Sequence, residues 1–262
     1  MERSRRIGIH RYSEGESKVS FDYLASETLV HLYTSNQKIA SLLATPTDLT
    51  ELYIGHALCE GYGNFPDAVV ECIENETGSL QITIDQELTV VDSNRGVVTS
   101  SCGACNVDGL DELIGNLPVF DSKHQAVLHE DYFDALESMR NLQSGFRETG
   151  GMHAAALWHP LHGLRHVSED IGRHNATDKA IGKGILSNVE FSEETLLLSG
   201  RCGWDIVAKA SRAGVGTVVC IGACSSLAAD TARSLGMRIY SFMKSASNVG
   251  IGPIAPIEYN NP

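Results

Sequence analysis

Cys102 and Cys105 sit three positions apart in the stretch Thr99-Ser100-Ser101-Cys102-Gly103-Ala104-Cys105-Asn106. Two thiols at this spacing can hold one side of a metal ion, close a disulfide, or pass a sulfur atom from one to the other. The surrounding Ser, Gly, Ala and Asn residues favour an accessible loop over a packed element. A structural zinc site needs two more ligands at similar spacing. None of Cys59, Cys72, Cys202, Cys220 and Cys224 forms such a pair. A disulfide oxidoreductase carries its pair at a helix start, and Asn106-Val107-Asp108-Gly109 shows no helix pattern. A nucleobase deaminase uses a zinc-binding cysteine pair preceded by proline and served by a His-x-Glu element. Here Ser101 occupies the proline position, and no His-x-Glu precedes the pair. Sulfur transfer survives these comparisons: one thiolate takes sulfane sulfur as a persulfide, and the second thiol relays or releases it. The spacing by itself leaves redox and sulfur chemistry both open.

Four other segments have residue types suited to ligand binding. Thr149-Gly150-Gly151-Met152-His153 combines two glycines, which let a backbone approach a ligand closely, with an imidazole; the plain alternative is a turn before a strand. Glu169-Asp170-Ile171-Gly172-Arg173-His174-Asn175-Ala176-Thr177-Asp178-Lys179 concentrates charge at a strand-to-helix junction, where anions bind. There Arg173, His174 and Lys179 are candidates for phosphate contact, with Asp170 or Asp178 as their partners; the alternative is a solvated helix start with local ion pairs. Arg201, in Ser199-Gly200-Arg201-Cys202-Gly203, stands at the next such turn. Ser225 and Ser226, in Ala223-Cys224-Ser225-Ser226, stand at the one after. His10, His31, His56, His124, His129 and His159 show no ligand spacing and are read as structural or surface residues.

The elements that must position these residues are legible in the pattern. Thr28 to Tyr33, Ile39 to Leu43, Val69 to Ile73 and Leu80 to Ile84 read as strands, with a helix from a Thr45-Pro46-Thr47-Asp48 cap to about Glu60. A second helix spans Tyr132 to Leu142. From residue 154 onward strands and helices alternate: strands near Leu164–Val167, Thr195–Leu198, Thr217–Ile221 and Met237–Phe242, with helices through Leu186, over Trp204–Ala213 and over Leu227–Leu235. That alternation predicts an α/β fold with a mostly parallel sheet covered by helices on both faces. The expected organisation is a flexible lead-in (1–20), an N-terminal α+β subdomain that includes the dithiol loop (21–128), and an α/β subdomain (129–262).

A formal net charge of -13 argues against nonspecific nucleic-acid binding, which needs a cationic surface. No apolar run approaches the ~20 residues of a membrane span, and the basic start Met1-Glu2-Arg3-Ser4-Arg5-Arg6 is not followed by an apolar stretch. A cytoplasmic protein with mostly reduced cysteines is expected. Cys59, Cys72 and Cys220, in apolar patterns, are expected in the core.

Taken in order, the motifs resemble the FdhD family of sulfur carrier proteins from about Asp22 to Asn248. The matching stretches are Thr45-Pro46 with Gly55 and Glu60-Gly61, Ser100-Ser101-Cys102-Gly103-Ala104-Cys105, Thr149 to Ala155, Glu169 to Ala176 with Asp178-Lys179, and Ser199-Gly200-Arg201. The resemblance implies a cytidine-deaminase-like three-layer sandwich with a mostly parallel mixed sheet, without the deaminase zinc. It also implies an activity: sulfur from a cysteine desulfurase is passed to the molybdenum cofactor, in its bis-guanine-dinucleotide form, for formate dehydrogenase maturation. By that analogy Cys102 carries the persulfide, Cys105 assists, and a cofactor loop after the last strand maps to Phe242-Met243-Lys244-Ser245-Ala246-Ser247. A homodimer is expected. The chain departs from the family's usual pattern at Ala223-Cys224-Ser225-Ser226, at Gly203 and Asp205, and at Lys244. A guanine-nucleotide-binding module without catalysis and a zinc-dependent deaminase-type hydrolase remain the other readings.

Overall fold

The computed structural model describes residues 2–87, 114–121 and 127–254. Its six-stranded sheet is ordered β12-β11-β10-β9-β7-β8 and is built from β7 (His153–His159), β8 (Gly163–Asp170), β9 (Thr195–Leu198), β10 (Thr217–Cys220), β11 (Arg238–Lys244) and β12 (Ser247–Ile251). Alternate side chains leave opposite faces of each strand. Ala154, Ala156, Trp158, Leu197, Val219 and Met243 pack with Tyr132, Ala135, Leu136 and Met139 of helix α2 (His129–Leu142). Ala155, Leu157, Leu196, Leu198, Val218, Cys220 and Ile239 face the other way. There they meet α4 (Arg173–Leu186), α5 (Trp204–Ala213) and α6 (Ser226–Leu235). Strands covered on both faces read as unbroken apolar runs, which is why Thr-Leu-Leu-Leu and Thr-Val-Val-Cys are wholly buried.

The sheet is mixed, as expected, but its parallel pairings are the minority rather than the majority. β9, β10 and β11 are parallel neighbours, while β7–β8, β7–β9 and β11–β12 are antiparallel. Connection length accounts for two of these antiparallel pairs. β7–β8 and β11–β12 are joined by short turns, and a parallel pair needs a crossover of a dozen residues or more.

A second sheet of four strands, ordered β4-β3-β6-β5, is formed by β3 (Thr28–Tyr33), β4 (Lys38–Ala44), β5 (Val70–Glu74) and β6 (Leu80–Ile84). Helix α1 (Leu49–Cys59) is apolar almost all round, because it packs on α4 and α5 and also reaches β6. One continuous core therefore joins the two sheets through α1 and α4. The two helices cross at glycines. A Cβ on Gly55 would lie 1.8 Å from the Asp178 carbonyl oxygen, and one on Gly182 would lie 1.9 Å from that of Glu51.

Several expectations change here. In place of a flexible lead-in, β1 (Ser4–Ser13) and β2 (Glu16–Ala25) pair in register over their whole length. The polar break is their two-residue turn, with positive φ at Glu14 and Gly15, as tight hairpins require. Thr45 is not the cap of α1; that place belongs to Asp48, whose side chain makes no capping bond. Thr45 instead accepts a hydrogen bond from Ile171 N at its hydroxyl and donates its backbone N–H to Asp170. Cys72 is exposed rather than buried, because β5 is an edge strand paired with β6 alone. Phe242 to Ser247 does not follow the last strand: it spans the end of β11, a tight turn and the first residue of β12. Helix α3 (Ser144–Thr149) has no counterpart in the sequence reading. Among the described residues no helix is long and apolar enough to cross a membrane.

Candidate functional site

Three consecutive strand ends and the beginning of a fourth strand converge on one edge of the six-stranded sheet. Ser199, just past β9, bonds Ala154 twice: its N–H donates to the Ala154 carbonyl at 3.0 Å, and its Oγ accepts from Ala154 N at 2.8 Å. Gly222 N, past β10, donates to the Gly200 carbonyl, and Phe242 N donates to that of Gly222, both at 3.0 Å. This ladder places His153, Gly200, Arg201, Gly222 and Phe242 side by side. A Cβ on Gly200 would lie 3.3 Å from His153 Nδ1 and 4.0 Å from Arg173 Cδ, so the glycine lets the imidazole and the guanidinium stem close over the backbone. Phe242 is half exposed and holds a positive φ of 52°, an uncommon backbone for an aromatic residue.

Arg173 and His174 open helix α4 at this edge. Arg173 Nη2 donates to Asp205 Oδ2 at 3.3 Å, and its buried Nε has no acceptor among the described residues. His174 Nε2 contacts the same Asp205 oxygen. Burial pushes the His174 imidazole down, Asp205 draws it back up and Arg173 lowers it again, leaving it at about 4. His153 is lowered too, first by burial and then by Arg173 and Arg201. At neutral pH the edge therefore presents two arginine cations beside two uncharged imidazoles and the one Asp205 carboxylate, a net positive arrangement that attracts anionic oxygens. Asp205 orients both α4 side chains. Its sequence signal was its place after Ser199-Gly200-Arg201 in the first turn of a helix, where a carboxylate is favoured. Because Asp205 favours the protonated imidazole, Asp205→Asn should move the His174 titration below 4. Nuclear magnetic resonance titration reads this directly, and an unchanged titration would show that Asp205 does not act on the ring.

Other sequence candidates fall outside this edge. Lys179 is wholly buried: its Nζ donates to Asp170 Oδ2 at 2.7 Å and to the Thr45 carbonyl at 2.9 Å. Asn175 Nδ2 donates to Asp170 Oδ1 and the Leu43 carbonyl. Both are corrected from ligand contacts to struts that tie β8 and α4 to the end of β4. The physical reason is that Asp170, 0% exposed, needs every one of these donors in a low-dielectric interior. Met243 is likewise corrected, being buried against α2, whereas Lys244 is exposed and its carbonyl accepts from His129 Nε2. Ser245, Ala246 and Ser247 are exposed in and beside the turn. Gly150, at φ 66°, is the left-handed C-cap of α3, and Gly151 follows it on the surface. Ser225 Oγ accepts from Ala228 N at 3.2 Å and so caps α6, whose first residue is the exposed Ser226. Cys102 and Cys105 lie outside the described residues. Among the described residues no three His, Cys, Asp or Glu side chains are grouped to hold a metal.

A family profile described as the FdhD/NarQ family matches residues 25–249. The chain belongs to this family. Among curated relatives, the "Sulfur carrier protein FdhD" of Saccharolobus solfataricus is 31% identical over 94% of this chain and 95% of its own length. The protein of the same name from Burkholderia cenocepacia is 30% identical over 95% and 94%. A crystal structure from Desulfotalea psychrophila, described as a candidate formate dehydrogenase accessory protein, shares the fold. It has a TM-score of 0.74 and 19% identity, over 96% of this chain and 97% of that one. The edge carrying Arg173, Arg201 and His153 thus belongs to an FdhD/NarQ protein.

Proposed function

We propose that this FdhD/NarQ protein is a cytoplasmic sulfur carrier with sulfurtransferase activity. It would take persulfide sulfur from a cysteine desulfurase and pass it to the molybdenum cofactor, in its bis-guanine-dinucleotide form, for formate dehydrogenase. The observation that carries this reading is the match, over nearly the whole chain, to proteins named sulfur carriers. In the first step the Cys102 thiolate attacks the terminal sulfur of a donor persulfide. A new S–S bond forms, the donor's S–S bond breaks, and the donor leaves as a thiolate. Cys105 then assists release of the sulfur to the acceptor. The cofactor is the substrate here, and its guanine-dinucleotide phosphates suit the cationic edge of Arg173 and Arg201, with Phe242 available to stack on a base. The fold is read as a deaminase-like sandwich used without zinc, and the working form as a homodimer.

Two measurements test this reading. Intact mass of wild type, Cys102→Ala and Cys105→Ala is recorded after exposure to a cysteine desulfurase and cysteine, with a reduction control. The expected result is a reducible adduct of one sulfur that depends on Cys102. No adduct on wild type, or an equal adduct on Cys102→Ala, would overturn it. Arg201 is exposed and makes no hydrogen bond or ion pair among the described residues, so its charge is available to a ligand. Arg201→Ala should weaken binding of guanosine diphosphate roughly tenfold, the loss of one charge-assisted bond, while leaving sulfur loading intact. Calorimetry with unchanged affinity would move the ligand away from this edge.

A further inference from the structure

A second pair of thiols, far apart in sequence, meets at the same sheet edge. Cys202 follows β9 and Cys224 follows β10, and the two are partners in an isolated parallel bridge. Backbone bonds fix them: Cys202 N donates to the Ala223 carbonyl at 3.0 Å, and Ser225 N donates to that of Cys202 at 3.1 Å. Neighbouring extended segments run about 4.8 Å apart. That lies inside the roughly 4.4–6.8 Å between Cα atoms that a disulfide spans, and directly opposed residues on parallel segments point the same way. Both thiols are free.

Their environments differ in a way that divides roles. Cys202 is fully buried. The neighbouring Cys224 and then burial push its thiol well up, so it keeps its proton, and its Sγ donates to the Gly203 carbonyl at 3.9 Å. Cys224 is half-buried and its Sγ donates to the Ser225 carbonyl at 3.3 Å; the neighbouring Cys202 lowers its thiol, burial opposes this and Arg233 reinforces it. Cys220, the third sulfur nearby, donates to the Gly222 carbonyl and is raised to about 12, chiefly by burial, which leaves it inert. Cys224 also stands within two residues of Gly222, which bonds both Gly200 and Phe242. A thiol that is partly open and stands opposite a second thiol within disulfide reach can act as a nucleophile with a built-in resolving partner.

We propose that Cys224 is a second sulfur-accepting nucleophile of this protein, taking sulfane sulfur from a persulfide, and that Cys202 is its resolving thiol. The persulfide donor is the class named under the proposed function, and the inference rests on that reading for its biological source alone. In the accepting step the Cys224 thiolate bonds the terminal sulfur of the donor, the donor S–S bond breaks, and the donor departs as a thiolate. In the resolving step Cys202 gives up its proton and attacks Cys224 Sγ. The Cys202–Cys224 disulfide forms, the outer sulfur leaves as hydrosulfide with the electron pair, and the proton goes to it or to water. The sulfane sulfur is reduced to sulfide while the two thiols are oxidised to a disulfide. A low-molecular-weight thiol then reopens the disulfide by exchange.

The test uses glutathione persulfide and full-length protein, without a desulfurase. The exposed Cys72 would react as well, so the background is Cys72→Ser/Cys102→Ala/Cys105→Ala. The expected result is a reducible sulfur adduct on the peptide containing Cys224, passing to a Cys202–Cys224 disulfide with release of sulfide, and both reduced to background by adding Cys224→Ser. Adding Cys202→Ser should instead prolong the adduct's lifetime, since the disulfide cannot close. Absence of both an adduct and a Cys202–Cys224 disulfide in the background protein, or an adduct unaffected by Cys224→Ser, overturns the proposal. A second measurement needs no variant: in wild type, iodoacetamide at neutral pH should label Cys224 faster than the exposed Cys72, and slower labelling counts against it. The two readings fail separately. Wild type loaded at Cys102 with an unreactive background protein overturns only the Cys224 assignment. A loaded background protein with no Cys102 adduct in wild type overturns only the proposed function.

Discussion

Gly55→Ala should lower stability by about 3 kcal/mol or more, although alanine is the better helix former by about 1 kcal/mol. The two effects oppose each other, and geometry decides between them. The added Cβ would lie 1.8 Å from the Asp178 carbonyl oxygen and 2.8 Å from Gly182 N. Both are backbone atoms, so no rotamer change relieves the overlap and α1 must move away from α4. Gly182→Ala meets the carbonyl of Glu51 at 1.9 Å and should cost a similar amount. Either change alone separates the helices, so the double variant should lose less than the sum of the two. Gly78→Ala is the control: nothing lies within 4 Å of its Cβ and its φ is 76°. It should cost roughly 1–2 kcal/mol from backbone strain alone. Urea unfolding measures all four variants. A Gly55→Ala midpoint at or above wild type would show that the crossing has slack.

The crossing bears on function because α4 has two jobs. Its first turn carries Arg173 and His174 to the sheet edge, and its second holds Asp178 and Lys179 in the core. Any shift of α1 therefore reaches the edge through a rigid helix. Gly55→Ala protein that remains folded should also show an altered His174 titration.

Much of this architecture was legible because burial on two faces leaves a plain mark. β3, β6, β9 and α5 end where the apolar pattern and the flanking Gly, Asn or Ser say they should. The misses have physical causes. β1 and β2 carry exposed Tyr12, Val19 and Phe21 among charged residues, so no buried face marks them as strands. β12 is five residues long, with a glycine inside it. In the candidate site, residue type alone could not separate Arg173 from Lys179. Both are cations on one helix, six positions apart; one faces the sheet edge and the other is sealed against Asp170. Only the packing of β4 against the start of α4 makes that distinction. Nor could sequence order suggest that Cys202 and Cys224, in separate crossovers, stand opposite each other.

Asp178→Ala should be as damaging as the glycine changes, for an electrostatic reason. Asp178 accepts from Lys209 Nζ at 2.8 and 3.0 Å through its two oxygens, and from His56 Nδ1 at 3.0 Å. Lys209 also donates to Glu60 Oε1 at 2.7 Å, so α1, α4 and α5 are joined by one buried network. Lys209 is 1% exposed; with Asp178 gone it keeps one carboxylate and has no route to water. Breaking a buried pair by removing one partner costs about 3–5 kcal/mol. Replacing both charges, as in Asp178→Leu/Lys209→Met, should recover part of that loss, although Glu60 then loses its partner. The pH dependence gives an independent check. Burial alone would raise the Asp178 carboxyl, but Lys209 and His56 outweigh it and hold it at about 2, below its ordinary 3.8. A depressed carboxyl stabilises the fold above its unfolded value, and that contribution fades as the pH falls through the folded one. The gap between wild type and Asp178→Ala should therefore be constant above about pH 4–5 and should narrow towards pH 2. Denaturant unfolding at a series of pH values decides it. A gap that widens in acid would mean that the carboxylate is not what steadies Lys209.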